Sequence, residues 1–242
     1  MESDIKKQSE INYLNFFRER YPLFPKGKLV PGESPDFMVR FSNGNHTGIE
    51  ITSLYRNQPN PLHDTPGQMI YARLLEKTRE LTELHYPGPL TVKMLVGPNP
   101  PITEAHILSL AARTSVLIRQ NLPAATQPVT VIGNRQLPPP VRGIMIERND
   151  WKTVSDWEVL LPHHRYHDLI HDLATAIEKK EEKLPLYYSS GISTCWLLII
   201  CDHLLYERNI NIYNKLSLHP FNSTFHKVFL LEIMKPGYIE LV

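Results

Sequence analysis

Glu33-Ser-Pro-Asp-Phe-Met-Val-Arg-Phe-Ser-Asn-Gly-Asn-His-Thr-Gly-Ile-Glu-Ile-Thr-Ser-Leu54 is the stretch on which the reading of this chain turns. Two short runs of β-prone residues, Asp36 to Ser42 and His46 to Leu54, flank Asn43-Gly44-Asn45, the composition of a tight turn, so a β-hairpin is expected. Side chains alternate faces along a strand, and residues opposite each other share a face, so loop length fixes which residues meet. With a loop of Asn43, Gly44 and Asn45, Phe37 faces Ile51, Val39 faces Ile49 and Phe41 faces Thr47, which assembles one apolar face. The other face then carries Asp36 opposite Thr52 and Glu50 opposite Met38. A two-residue loop would mix Phe37 with Glu50 and separate the two carboxylates. The apolar pattern therefore selects a register that gathers Asp36 and Glu50 on one side of the sheet.

Two carboxylates held close together repel each other, and burial further disfavours their ionisation. A divalent cation removes that penalty. Carboxylates and a backbone carbonyl are hard oxygen ligands suited to Mg²⁺ or Mn²⁺. The plain structural alternative is that Asp36 opens a strand after Pro35 and that Glu50 is a solvated residue on an open face.

Pro35-Asp36, followed across the hairpin by Gly48-Ile49-Glu50-Ile51-Thr52, resembles the signature of the PD-(D/E)xK nucleases, the restriction-endonuclease-like superfamily. The resemblance spans about residues 5–96 and implies an αβββαβ core with C-terminal extensions. It also implies that Asp36 and Glu50 hold Mg²⁺ (or Mn²⁺), helped by the backbone carbonyl of Ile51. In the family a lysine stands two positions after the second acid; here Thr52 takes that place. Very short patch repair endonucleases are similar in using a threonine there, so Thr52 is assigned to orienting the attacking water. Asp36, Glu50 and Thr52 are thus the implied catalytic residues. Nucleic acid is the implied substrate, DNA before RNA. A nuclease-like module without catalysis, binding nucleic acid or protein, is the alternative, which Thr52 and the near-neutral charge favour.

A chain of 242 residues can bury a full core, and it is read as a single domain over 1–242. A formal net charge of +1 argues against a strongly electrostatic, non-specific nucleic-acid binder, so any such contact must use a local patch. Cys195 and Cys201 lie in or beside one apolar run and read as reduced core residues. Met1-Glu2-Ser3-Asp4 carries no apolar leader, and the run from Cys195 to Cys201 is far too short to span a bilayer. The expectation is a cytoplasmic protein with no membrane partner, with a homodimer left open.

A helix is expected from Ser3 to Tyr21, with Ile11, Leu14, Phe17 and Tyr21 as its buried stripe. Glu10 shares that face. By the family resemblance it can complete the metal shell; otherwise it is a boundary residue that reaches water. A short strand is expected at Lys28 to Val30, with Lys26 and Lys28 at the surface. After a loop from Tyr55 to Asp64 holding Arg56 and His63, Thr65-Pro66-Gly67-Gln68 opens a helix to about His85. On that helix Gln68 serves the cap or faces the metal, and Lys77 or Arg73 is placed to replace the missing lysine.

Leu90 to Val96 reads as a strand, completing a helix, hairpin, helix and strand order that fits an α/β protein with a central mixed sheet flanked by helices. A helix follows from Pro101 to Asn121, then strands at Val129 to Ile132 and Arg142 to Glu147, with Gln136 to Pro140 an exposed loop. Pro162 to Lys183 reads as a helix with His164, His167 and His171 on one face, a zinc geometry in principle but more simply a polar face. Its end holds Lys179, Lys180 and Lys183, suited to the helix dipole or to phosphate. Strands near 194–202 and 227–232 join the sheet, the first a continuous apolar run of the kind found at a sheet's centre. Nothing in the sequence marks a second domain.

Overall fold

The computed structural model describes residues 2–54, 66–97, 99–160, 168–201, 212–234 and 237–242. The protein is α/β, with helices on mixed sheets that combine parallel and antiparallel strands. It has two such sheets where one was expected, and the chain divides into two compact units. One unit comprises 13–56 and 164–242; the other comprises 1–12 and 57–163. The first unit is therefore interrupted in sequence by the second, which no composition shift announces.

The interrupted unit is built on a six-stranded sheet of order β1-β2-β3-β8-β9-β10. Strands β1 (Lys28–Pro31), β2 (Phe37–Arg40) and β3 (His46–Ser53) form an antiparallel meander. β8 (Thr194–Cys201) then runs parallel to β3, β9 (Lys227–Glu232) parallel to β8, and β10 (Gly237–Glu240) closes the edge antiparallel to β9. The continuous apolar run in β8 is buried because β3 and β9 occupy its two edges and helices cover its faces.

On one face, the end of α1 (Glu2–Arg18) inserts Phe17 against Phe229 with ring centroids 4.9 Å apart. Tyr21, Phe24, Trp196 and Tyr238 complete this aromatic layer. The opposite face is covered by α4 (Leu169–Glu181), α5 (Leu184–Ser189) and α6 (Ile212–Leu218). Leu169, Leu173 and Ile177, one turn apart on α4, pack there with Tyr187, Leu197, Ile199, Val228 and Leu230. The α4 helix starts at Leu169, later than the sequence suggested, because Asp168 caps it by accepting the His171 N–H at 3.1 Å. His171 is exposed, while His164 and His167 lie outside the described residues.

The second unit carries a four-stranded sheet, β5-β6-β4-β7, made of β4 (Leu90–Val96), β5 (Val129–Gly133), β6 (Val141–Arg148) and β7 (Asp156–Leu160). β4 thus pairs with β6 and β7 and does not join the hairpin's sheet, which corrects the expected core over 5–96. One face of this sheet is covered by α2 (Pro66–Glu83) and α3 (Glu104–Gln120) through Leu74, Ile107, Leu110, Ala111 and Ile118. Between the helices, the buried Thr82 hydroxyl satisfies itself on the Thr78 carbonyl at 2.7 Å and meets Ser115 at 3.2 Å. The Tyr55 to Asp64 loop and the Thr65 cap lie outside the described residues.

Candidate functional site

The hairpin forms, but its turn closes one residue earlier than expected. Phe41 N–H donates to the Asn45 carbonyl at 3.0 Å, so the loop is Ser42-Asn43-Gly44, with Gly44 at φ 84°. That conformation suits glycine. Phe37 consequently faces Ile49 and Val39 faces Thr47, two residues offset from the expected register. Parity is unchanged, so Phe37, Val39, Ile49 and Ile51 still line the apolar face, all of them buried. The offset alters the acids: continued one residue beyond the Phe37 and Ile49 pair, where the ladder ends, the register would set Asp36 against Glu50 rather than Thr52.

The same register explains what Pro35 does. Because Phe41 and Asn45 form a hydrogen-bonded pair, alternation continued past the last paired residues, Phe37 and Ile49, would set Pro35 against Ile51. Proline has no N–H to give, so the ladder supplies no donor to the Ile51 carbonyl. The Ile51 N–H is taken by the side chain, donating to Asp36 Oδ2 at 2.7 Å. Asp36 is thereby anchored beside Glu50, with the Ile51 carbonyl directed to the same edge of β3.

Glu50 is 1% exposed at the centre of the sheet and would be prohibitively costly there as a bare charge. Three groups from the α4 and α5 segment compensate it. Lys180 Nζ donates to Glu50 Oε1 at 2.8 Å and Lys183 Nζ donates to the same oxygen at 2.7 Å. The buried Tyr187 hydroxyl donates to Oε2 at 2.7 Å. Burial pushes the Glu50 carboxyl up, but the three hydrogen bonds and the Lys180 charge outweigh it and hold the group below the usual carboxylate range. Burial pulls Lys183 down, yet its hydrogen bond to Glu50 and the charges of Glu50 and Asp36 leave it above the ordinary lysine value. Tyr187 is raised by burial and then by the same two acids. Both carboxylates therefore act on Lys183 and Tyr187, which places all four in one electrostatic site. Cys195, nearby on β8, is pushed up to about 11 by burial and then by Glu50, and remains a thiol.

The remaining expected residues are placed otherwise. Thr52 lies on the Glu50 face of β3, opposite Ile199 in register and half-buried. Glu10 is buried in the other unit, with Lys7 Nζ at 3.0 Å and Lys6 Nζ at 3.4 Å. Lys77 also belongs to that unit and pairs with Glu80 at 2.5 Å on its own helix, while Arg73 pairs with Glu104. The lysines hydrogen-bonded to Glu50 are instead Lys180, near the end of α4, and Lys183, just beyond it. Gln68 is in the first turn of α2 in that same unit.

A sequence signal for Lys180 existed. It follows Ile177 by three residues and so extends the Leu169, Leu173 and Ile177 stripe, which points a lysine inward. No such pattern marks Tyr187 as a partner of Glu50.

Asp36, Glu50 and the Ile51 carbonyl offer hard oxygen atoms of the type a divalent cation takes, although both Glu50 oxygens and Asp36 Oδ2 accept hydrogen bonds from the protein. Among the described residues, no group of three or more His, Cys, Asp or Glu is arranged to hold a metal ion. Comparison with known proteins returned no match to a family model, to a curated protein or to a solved structure. No described helix is long and apolar enough to cross a membrane.

Proposed function

We propose that this site is the centre of a metal-dependent nuclease that hydrolyses phosphodiester bonds. The observation that carries the reading is that buried Glu50, set beside Asp36, receives two lysine ammonium groups, the constellation that the Thr52 substitution leaves incomplete in sequence. The order of the end of α1, β1, β2 and β3, then α4, the short α5 and β8, in the interrupted unit supports a restriction-endonuclease-like αβββαβ core. In this reading the intervening residues are an insertion between β3 and α4.

Asp36, Glu50 and the Ile51 carbonyl would hold Mg²⁺ or Mn²⁺, which supplies stabilisation of charge on the phosphate and a more acidic water. Tyr187 fixes Oε2 of Glu50 and so sets the direction of the carboxylate. Lys183, held protonated by the two acids, donates hydrogen bonds and positive charge to the phosphate rather than accepting a proton. Thr52 offers a hydroxyl to the attacking water. In the reaction the water oxygen bonds to phosphorus as the P–O ester bond opposite breaks; the water gives up one proton to solvent, and the leaving oxygen takes one from solvent.

DNA is the proposed substrate before RNA, on family analogy. The test is incubation of the purified protein with DNA and RNA in Mn²⁺, beside Asp36→Ala and Lys180→Ala. Cleavage is expected to fall by about 10²-fold or more in each variant, as for loss of a group that stabilises transition-state charge. Equal cleavage by all three proteins, or by none, would remove the catalytic assignment. Absence of cleavage with retained nucleic-acid binding would favour the second reading, an inactive binding module in which the lysines permanently neutralise Glu50.

A further inference from the structure

We infer that Lys180 and Lys183 are a phosphate-binding pair that Glu50 holds in reserve, so that cation binding at Asp36 and Glu50 and phosphate binding at the lysines depend on each other. The inference rests on the nuclease reading of this site.

Both ammonium groups donate to a single oxygen, Glu50 Oε1, at 2.8 and 2.7 Å. Among the described residues neither forms an ion pair with any other acid. The two ammonium groups formally balance Glu50 and Asp36, so a divalent cation added at the acids would leave the cluster positive and favour an anion at the lysines. Each ammonium has three donors, and Glu50 accepts one from each. Lys183 is 43% exposed, so the unspent donors are accessible to an incoming anion.

The same oxygen is the one a divalent cation would need. With Oε2 held by Tyr187 and Oε1 covered by two ammonium groups, Glu50 can turn Oε1 to a cation only as the lysines withdraw. A phosphodiester gives the lysines replacement acceptors of matching charge. Withdrawal of the lysines toward phosphate and exposure of Oε1 are therefore one event. Thermodynamic linkage requires the coupling to act equally in both directions.

The test uses the full chain and reads Mn²⁺ binding from the paramagnetic resonance signal of the free ion, independent of any cleavage. A short phosphorothioate oligonucleotide should tighten Mn²⁺ binding by about tenfold, within the usual range of such couplings. Mn²⁺ should tighten the oligonucleotide by the same factor, and an uncharged methylphosphonate oligonucleotide should do neither. Lys183→Ala should bind Mn²⁺ more tightly than the parent without oligonucleotide and lose most of the coupling, whereas Lys183→Arg should retain it. Mn²⁺ binding indifferent to the oligonucleotide in the parent protein, or weakened in Lys183→Ala, would overturn the inference and leave the nuclease reading standing. No Mn²⁺ binding under any condition would overturn both.

Discussion

Each unit buries a glutamate on the middle of a sheet, and the two are treated in opposite ways. Glu50 on β3 is 1% exposed and meets two ammonium groups and a phenol. Glu147 on β6 is 2% exposed and accepts a hydrogen bond from the Asn12 amide at 2.7 Å, with Lys93 and Lys152 acting only through space. Burial dominates at Glu147, and its carboxyl is raised; at Glu50 the hydrogen bonds win, and the carboxyl is lowered. An amide stabilises a buried acid as a structural hydrogen-bonding group, whereas paired lysines keep it ionised. The difference separates an acid that burial pushes toward its neutral form from one that its partners keep charged.

Removing the counter-charges should break this contrast most severely. Lys180→Ala with Lys183→Ala leaves Glu50 buried and unpaired, and should cost about 3 kcal/mol in urea unfolding. That is the low end for a broken buried pair, because Lys183 is 43% exposed and water partly replaces it. Adding Glu50→Gln should recover most of the loss, since the uncompensated charge is then gone.

Tyr187→Phe should cost about 2 kcal/mol, as expected for a hydrogen bond to a charged acceptor, against about 1 kcal/mol for Asn12→Ala. A loss at Asn12 as large as that at Tyr187 would show Glu147 to be ionised like Glu50.

The two acids also predict a pH profile with two limbs. A lowered carboxyl contributes stability present above the unfolded value of about 4.3 and lost as pH falls through its folded value. A raised carboxyl does the reverse: its contribution is full below the unfolded value and fades as pH rises through the folded one. The urea midpoint should therefore rise on mild acidification from neutrality and then fall below about pH 4. Glu147→Gln should flatten the rise and Glu50→Gln the fall. A monotonic profile in the parent protein would contradict the assignment. At the small end, Lys77→Ala should alter stability by less than about 0.5 kcal/mol, because its pair with Glu80 is exposed.

The hairpin, the burial of Phe37, Val39, Ile49 and Ile51, and the shared face of Asp36 and Glu50 were legible in sequence because strand parity is local and survives a two-residue error in register. The central place of β8 was legible for a similar reason, since seven apolar residues in a row cannot face water. Lys77 pairs with Glu80 on α2, a helix of the other unit, since sequence nearness to the hairpin carries no information about which sheet a helix covers. The second sheet escaped notice since both units have the same apolar periodicities, and only strand pairing tells which sheet β4 joins.

By itself, then, the sequence determined which side chains share a face of each element, since a two-residue or 3.6-residue period is a property of neighbouring residues. Tertiary structure alone decided the company Glu50 keeps. Lys180, Lys183 and Tyr187 lie 130, 133 and 137 residues away in the chain. Pairing of β3 with β8 brings them over the acid, and the choice of partner strand is a long-range event that no local pattern encodes.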